Sequence, residues 1–400
     1  MLLGLVRNIR RMVPDASFSV LTIYPRDDRA LAADGLDVEI VSCKPAALIL
    51  RAAPLSLFAP LLNVLRIAGV LRMDPILRTV LDADVVVDAG GITFADGRGL
   101  LLAYNVACIL PALCLSRPTI KVAQAMGPFN AVLNRSFAGR LLPKLDTILA
   151  RGKISRGYLD ALGLSNVENA ADVAFSMPIT DESQRIADDI VAGCGSGAEI
   201  ITVSPSSVVD TYCRDAGLEY VSVLAAFIDR IIAERDCRVL VMAHSVRPDR
   251  RVKKNNDVAV CEAVYDAVRQ KDHVTLVTAD YLPDVHRALI ARSRFLIASR
   301  FHAMISSLAT TVPFIMVGWS HKYEEVAEDF DLGPYCLDYS DLSLDRLLAT
   351  FEELCAEETQ AKKRIAAALP GALEASFKNA EMTVALLRDH SQMQREEAHA

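Results

Sequence analysis

Short β-branched and apolar runs alternate with longer stretches of helical period along almost the whole chain, the pattern of βα units wound around parallel sheets. A first series predicts strands at residues 18–24, 37–42, 84–88, 119–123 and 147–150. A second predicts strands at 199–203, 237–242, 273–277, 294–298 and 313–317, with helices such as 219–234 and 257–269 between them. The run SMPITDES at 176–183 combines Pro with polar residues and interrupts the periodicity, marking a junction. The expectation is an α/β fold of two doubly wound parallel-sheet domains facing a cleft. Residues 1–178 form the first, 179–388 the second and 389–400 a polar, frayed tail. Ligands of open parallel sheets bind beyond the carboxyl ends of the strands, so chemistry is sought in the loops that follow them.

One segment departs from the pattern. Residues 45–81 are unusually apolar and carry Arg51, Arg66, Arg72 and Arg78 spaced along them. Two readings stand: a buried helical hairpin, or a helix lying on a membrane with its arginines toward anionic headgroups, giving peripheral membrane contact through 45–81. Pro54, Pro60 and Asn63 interrupt its longest apolar run, too short for a spanning helix of about 20 residues.

Composition narrows the class. With 400 residues the chain is long enough for two domains at roughly 150 residues each. Its 52% hydrophobic and 23% charged content is that of a packed globular protein. A net charge of -7 speaks against a nucleic-acid-coating surface, so no nucleic-acid partner is expected and any anion site must be local. Nine scattered cysteines without a C-x-x-C pair read as reduced core residues of a cytoplasmic protein. The start MLLGLVRNIRRMVP places Arg after a short apolar stretch and lacks a small-residue cleavage site, unlike a signal peptide. No Rossmann fingerprint, P-loop, H-E-x-x-H or serine elbow is present, so neither a nicotinamide cofactor, nor ATP hydrolysis, nor a structural metal is expected.

The most informative stretch is residues 294–322, RFLIASRFHAMISSLATTVPFIMVGWSHK. Its strand ends at Ser299, predicted to cap a helix with Arg300 and His302 in the first turn. Open backbone N–H groups, the helix dipole and the Arg300 fork together favour an anion there. A histidine in that field resists protonation until a bound anion favours its charged form. Alternatively Arg300 pairs with an acidic residue elsewhere and His302 only packs. His244 follows a strand, with Asp257 thirteen residues later; the pair positions a ligand, supplies a base or simply holds the loop. Arg247, Arg250, Arg251, Lys253 and Lys254 between them are a solvated loop or a diphosphate contact. Ser204, Ser206 and Ser207 are candidate phosphate donors. Gly90 and Gly91 at a strand end allow a close backbone approach, with Asp96 nearby. Arg151 closes another strand, where it faces a ligand or makes a salt bridge.

SRFHAMISSLATTVPFIMVGWSHK resembles the R-x-H block of the polysaccharide pyruvyl transferase family, with its small-residue helix, V-P turn, apolar strand and later lysine. DADVVVDAGGITFADG, VAQAMGPF, ILARGKISRGYLDALGL and VMAHSVRPDRRVKKNND resemble further pieces of that family in the same order. The resemblance implies a fold similar to the B-type glycosyltransferases. It also implies transfer of the pyruvyl group of phosphoenolpyruvate to two hydroxyls of a sugar, as a ketal, on a cell-surface or exopolysaccharide or a lipid-linked oligosaccharide acceptor. By that likeness Arg300 binds the donor, His302 is the acid and base, and Lys322 holds phosphate or carboxylate, unless it is an ordinary helix-start lysine. Ser299, His244, Asp257, Gly90, Gly91 and Arg151 contribute to substrate binding. His321 lies outside the matching pattern. Family members usually begin with a strand and a glycine-containing loop ahead of the helix seen at 2–12, so the first sheet is expected to lack that strand and to expose an edge. The competing readings are a nucleotide-sugar glycosyltransferase of the same architecture and a non-catalytic glycan-binding relative.

Overall fold

A computed structural model describes the chain except for residues 32–35, 98, 196–197, 248–254, 319–321 and 400; the side chains of 27, 30, 31, 100, 322, 394 and 397–399 are also outside the described part. Two compact units result: Met1–Met177 with Glu374–Ala400, and Pro178–Leu373.

The division falls inside SMPITDES, but the end of the chain returns to the first unit. The long helix Glu358–His399 places Ala380 and Val384 against Leu5, Ile9, Ile120 and Val173. Ser376 donates to the Asp172 carbonyl at 2.7 Å. Residues 374–388, expected in the second domain, therefore belong to the first, and residues beyond 388 continue the helix to His399 where a frayed tail was expected. An apolar face inside an outwardly polar sequence is enough to anchor a helix in this way.

In the first unit, β1 (Ser19–Thr22) pairs in parallel with β2 (Glu39–Ser42). β3 (Val86–Asp88), β4 (Thr119–Gln124), β5 (Thr147–Arg151) and β6 (Val167–Ala170) form a separate parallel sheet in that order. β6 escapes the sequence reading because Glu168 and Asn169 occupy its exposed middle. Segment 45–82 is neither one long interfacial helix nor a buried hairpin. It is a chain of short helical pieces, Pro45–Ala47, Leu48–Ala52, Ala53–Ser56, Ala59–Val64, Ala68–Met73 and Pro75–Asp82. The prolines at 54, 60 and 75 withhold the N–H that a continuous helix needs. Leu48, Ala52, Leu71, Ile76 and Leu77 bury one side against Ala107 of helix Gly99–Cys114.

In the second unit all six strands are parallel: β7 (Glu199–Ser204), β8 (Cys237–Met242), β9 (Val274–Val277), β10 (Phe295–Ala298), β11 (Phe314–Gly318) and β12 (Cys336–Asp338). Their order is β12-β11-β10-β7-β8-β9. The chain runs from β7 outward to β9, then crosses back to β10 beside β7, which makes the β7/β10 junction the topological switch point. The central strands are buried apart from Glu199 at the start of β7 and the half-buried Arg238 in β8, as their apolar runs require. Among the described residues no helix is long and apolar enough to cross a membrane.

Candidate active site

At the switch point, β7 releases Ser204 through Ser207 and β10 releases Ser299 through His302. The buried Tyr220 ties the two loops together: its hydroxyl donates to Ser299 Oγ at 2.8 Å and accepts from the Ser206 N–H at 3.1 Å. Burial pushes the Tyr220 phenol far above its ordinary range, so it stays a neutral donor.

Ser299 does not cap the helix that follows. Its N–H still bonds to the Ser204 carbonyl in sheet fashion at 3.0 Å, and its hydroxyl is taken by Tyr220. Arg300 holds the cap position of helix Phe301–Ala309, with extended backbone and a carbonyl that accepts from the Ala303 and Met304 N–H groups. His302 is accordingly the second helical residue; it is exposed, its ring edge-on to Phe301 at 5.6 Å.

Arg300 meets Asp257 in a two-point fork. Nε donates to Oδ2 at 2.8 Å and Nη2 to Oδ1 at 2.5 Å, while Nη2 also reaches Ser207 Oγ at 3.2 Å. The fully buried carboxylate further accepts the Ser207 N–H at 2.9 Å and the Ser245 N–H at 3.0 Å. Four donors fill its roughly four lone-pair directions, so Asp257 is a positioning residue with no capacity left for a base. Among the described residues, Arg300 Nη1 has no hydrogen-bond partner, and the side chain remains partly open. Two N–H donors are thus held ready at a helix start, the arrangement that suits an anion.

His244 leaves β8 next to this fork. Burial first, then the positive fields of His286, His302, Arg300 and Arg287, hold its imidazole well below the ordinary range and therefore neutral. Its ring lies 5.4 Å from that of His286. Its Nε2 and the Ser204 hydroxyl are buried polar atoms without a hydrogen-bond partner among the described residues. Lying beside the Arg300 fork, they are polar atoms that a bound ligand or water could satisfy. His286 is buried between the Leu282 and Ala243 carbonyls, 3.3 and 3.1 Å from its two ring nitrogens, and burial lowers its pKa as well. Lys322 begins helix Lys322–Glu328, but its side chain lies outside the described part, as do His321, Arg250, Arg251, Lys253 and Lys254.

The first unit has its own polar centre at the ends of β3 and β4. Lys121, fully buried, donates to Asp88 Oδ2 at 2.5 Å and to Gln124 Oε1 at 3.0 Å. Burial raises the Asp88 pKa, but Lys121, with the Gly90 N–H and Gln124, brings it below the ordinary carboxylate value. Gly90 donates to Asp88 Oδ1 at 3.0 Å, and a Cβ there would lie 2.9 Å from Thr93 Cγ2, whereas one on Gly91 would meet open space. Asp96 accepts from the Asn130 and Ala131 N–H groups and Asn134 Nδ2, holding a loop. Arg151 pairs with Asp172 within the same unit at 2.7 Å.

A family model described as polysaccharide pyruvyl transferase matches residues 1–321. The chain belongs to that family. No curated protein matches it. Among solved structures, UDP-GlcNAc 2-epimerase from Neisseria meningitidis bound to UDP-GlcNAc is 11% identical, with a TM-score of 0.63 over 96% of this chain and 95% of that one. A UDP-N-acetylglucosamine 2-epimerase is 16% identical, with a TM-score of 0.61 over 95% and 91%. The UDP-GlcNAc 2-epimerase from Methanocaldococcus jannaschii is 11% identical, with a TM-score of 0.55 over 88% and 89%. These likenesses show the fold, parallel α/β sheets with helices of the B type.

For this member of the pyruvyl transferase family, the structure gathers Arg300, Asp257, Ser299 and His244 around one sheet end and places His302 on the same helix start. Gly90, Gly91 and Arg151 sit in the other unit. Sequence reasoning missed Tyr220, His286, Arg287 and Lys121. The signal for Lys121 was a lone cation inside the apolar strand TIKVAQ; His286 and Arg287 stand in a short helix in which residues 284–290 are all buried. Among the described residues, no group of three His, Cys, Asp or Glu side chains is arranged to hold a metal ion.

Proposed function

We propose that this chain transfers the pyruvyl group of phosphoenolpyruvate to a sugar of a cell-surface or exopolysaccharide as a cyclic ketal. The observation that carries the reading is the Arg300 guanidinium, fixed by Asp257 and Ser207 with its Nη1 donors uncommitted, two residues before His302. A small dianionic or trianionic donor matches such a fork better than a neutral sugar does.

In this reading Arg300 and the positive end of the dipole of helix Phe301–Ala309 hold the donor's carboxylate or phosphate. The anion raises the pKa of His302, which gives its proton to the methylene carbon. The adjacent carbon becomes oxocarbenium-like and takes one sugar hydroxyl, whose proton returns to His302. Loss of phosphate regenerates the cationic centre. The second hydroxyl then closes the ring and its proton leaves with phosphate, so one donor and one diol give one ketal and inorganic phosphate. Neutral His244 and Ser204 supply hydrogen bonds to the bound donor, and Lys322 a point charge. Gly90, Gly91 and Arg151 are assigned to the acceptor side.

The test is to incubate the protein with phosphoenolpyruvate and candidate sugar acceptors, following inorganic phosphate and the ketal methyl signal by NMR. Stoichiometric appearance of both, lost in Arg300→Ala, supports the reading. Thermal stabilisation by UDP-sugars alone would move the assignment to a glycosyltransferase, and glycan binding that His302→Ala leaves untouched, without turnover, would make it a binding protein.

A further inference from the structure

We propose that the outer face of residues 50–73 is a docking surface for an anionic lipid bilayer. The inner side of this segment is core, but the outer side is apolar and uncovered. Leu50, Val64 and Met73 are 77%, 79% and 81% exposed, and Phe58, Leu61 and Ile67 are each more than half exposed. A soluble surface rarely concentrates large apolar side chains in this way without a partner.

Charge selects the partner. Between Lys44 and Met73 there are four basic residues and no acidic one, in a chain whose net charge is -7. Arg51 and Arg72 lean on Asp74 and Asp82 at 2.5 Å yet keep more than half their surface in solvent. Lys44 and Arg66 are exposed. An apolar face rimmed by cations fits an interface of acyl chains and anionic headgroups, where each cation is expected to strengthen partitioning roughly fivefold. A second copy fits worse, because a two-fold contact would set these cations against one another.

A second patch repeats the chemistry. Helix Val132–Leu141 exposes Val132, Leu133 and Phe137, carries Arg135 and Arg140, and has no acidic residue. Helix Gly99–Cys114 lies between the two: Tyr104 and Cys108 pack on the 48–77 cluster, and Leu102 and Ile109 on the cluster that holds Ala138. The short proline-broken pieces suit a surface that lies on a bilayer rather than one that spans it.

This inference goes beyond the proposed reaction and does not rest on it, since vesicle binding needs neither donor nor acceptor. The experiment is sedimentation of the full chain with vesicles of about one-third phosphatidylglycerol in phosphatidylcholine, against pure phosphatidylcholine, at low and high salt. The expected result is at least tenfold tighter binding to the anionic vesicles, weakened by salt, and at least tenfold weaker binding for Val64→Glu with Met73→Glu. Both sites are mostly exposed, and circular dichroism checks that the variant is folded. Absence of binding, equal binding to both vesicles, or unchanged binding by the variant overturns the proposal. So does a dimer, seen by light scattering, that the variant dissociates without altering vesicle binding.

Discussion

Asp257 grips Arg300 at two points, Nε to Oδ2 and Nη2 to Oδ1, while two backbone N–H groups fill the rest of the carboxylate. The pair orients the guanidinium rather than neutralising it for its own sake. Asp257→Asn sets an amide donor against donors, so the expected loss of stability is about 3 kcal/mol in urea denaturation. Arg300→Lys is expected to fail as a replacement, because an ammonium cannot span both oxygens. Stability equal to that of the wild type in both variants would show that the fork positions nothing.

His302 is exposed on the first turn of its helix, so removing it should not disturb folding. His302→Ala is expected to lower turnover roughly 10²-fold, the size usual for a lost general acid or base, with stability changed by less than about 0.5 kcal/mol. Steady-state kinetics alongside a melting curve checks both. A melting curve displaced as far as the activity would assign the residue to structure.

The acid side of the stability profile should be steep. His244 and His286 both have folded pKa values below the ordinary 6.5, chiefly through burial. As pH falls through about 6.5 the unfolded chain takes up protons that the folded chain refuses, so stability is full above that value and is lost toward the depressed folded values. His244→Gln is expected to flatten the slope of unfolding free energy between pH 7 and 5. A slope equal to the wild type's would show that folding leaves the His244 pKa at its ordinary value.

The two glycines after β3 should not behave alike. Gly90→Ala places a methyl 2.9 Å from Thr93 Cγ2 and 3.2 Å from Asp88 Oδ1, beside the buried Lys121 network. The expected cost is about 1–3 kcal/mol. Gly91→Ala enters open space and should change stability by less than about 0.5 kcal/mol, so any effect of it on acceptor affinity reads out binding alone.

Much of the fold was legible because buried parallel strands are written as short apolar runs: the predicted 237–242 strand coincides with β8, and the other predicted strands differ by one or two residues at an end. β6 and β12 were not, since Glu168 sits in one and the other is three residues long. The return of the last helix to the first unit was hidden because a largely polar helix needs only a few apolar residues, Ala380 and Val384 among them, to choose its neighbour. The strand-end rule pointed to Arg300 and His244, and Asp257 was singled out thirteen residues after His244; the structure brings Asp257 onto Arg300. Their mutual roles depend on which lone pairs face which donors, and no spacing in the sequence encodes that. Ser299 looked like a cap by residue type, but sheet pairing carried one residue further and moved the cap to Arg300.

The most direct measurement is isothermal titration of the protein with phosphoenolpyruvate, repeated on Arg300→Ala. Saturable binding that weakens at least tenfold in the variant is the expected result. Equal binding by both proteins, or no heat from phosphoenolpyruvate while a UDP-sugar binds, would contradict a donor site at Arg300.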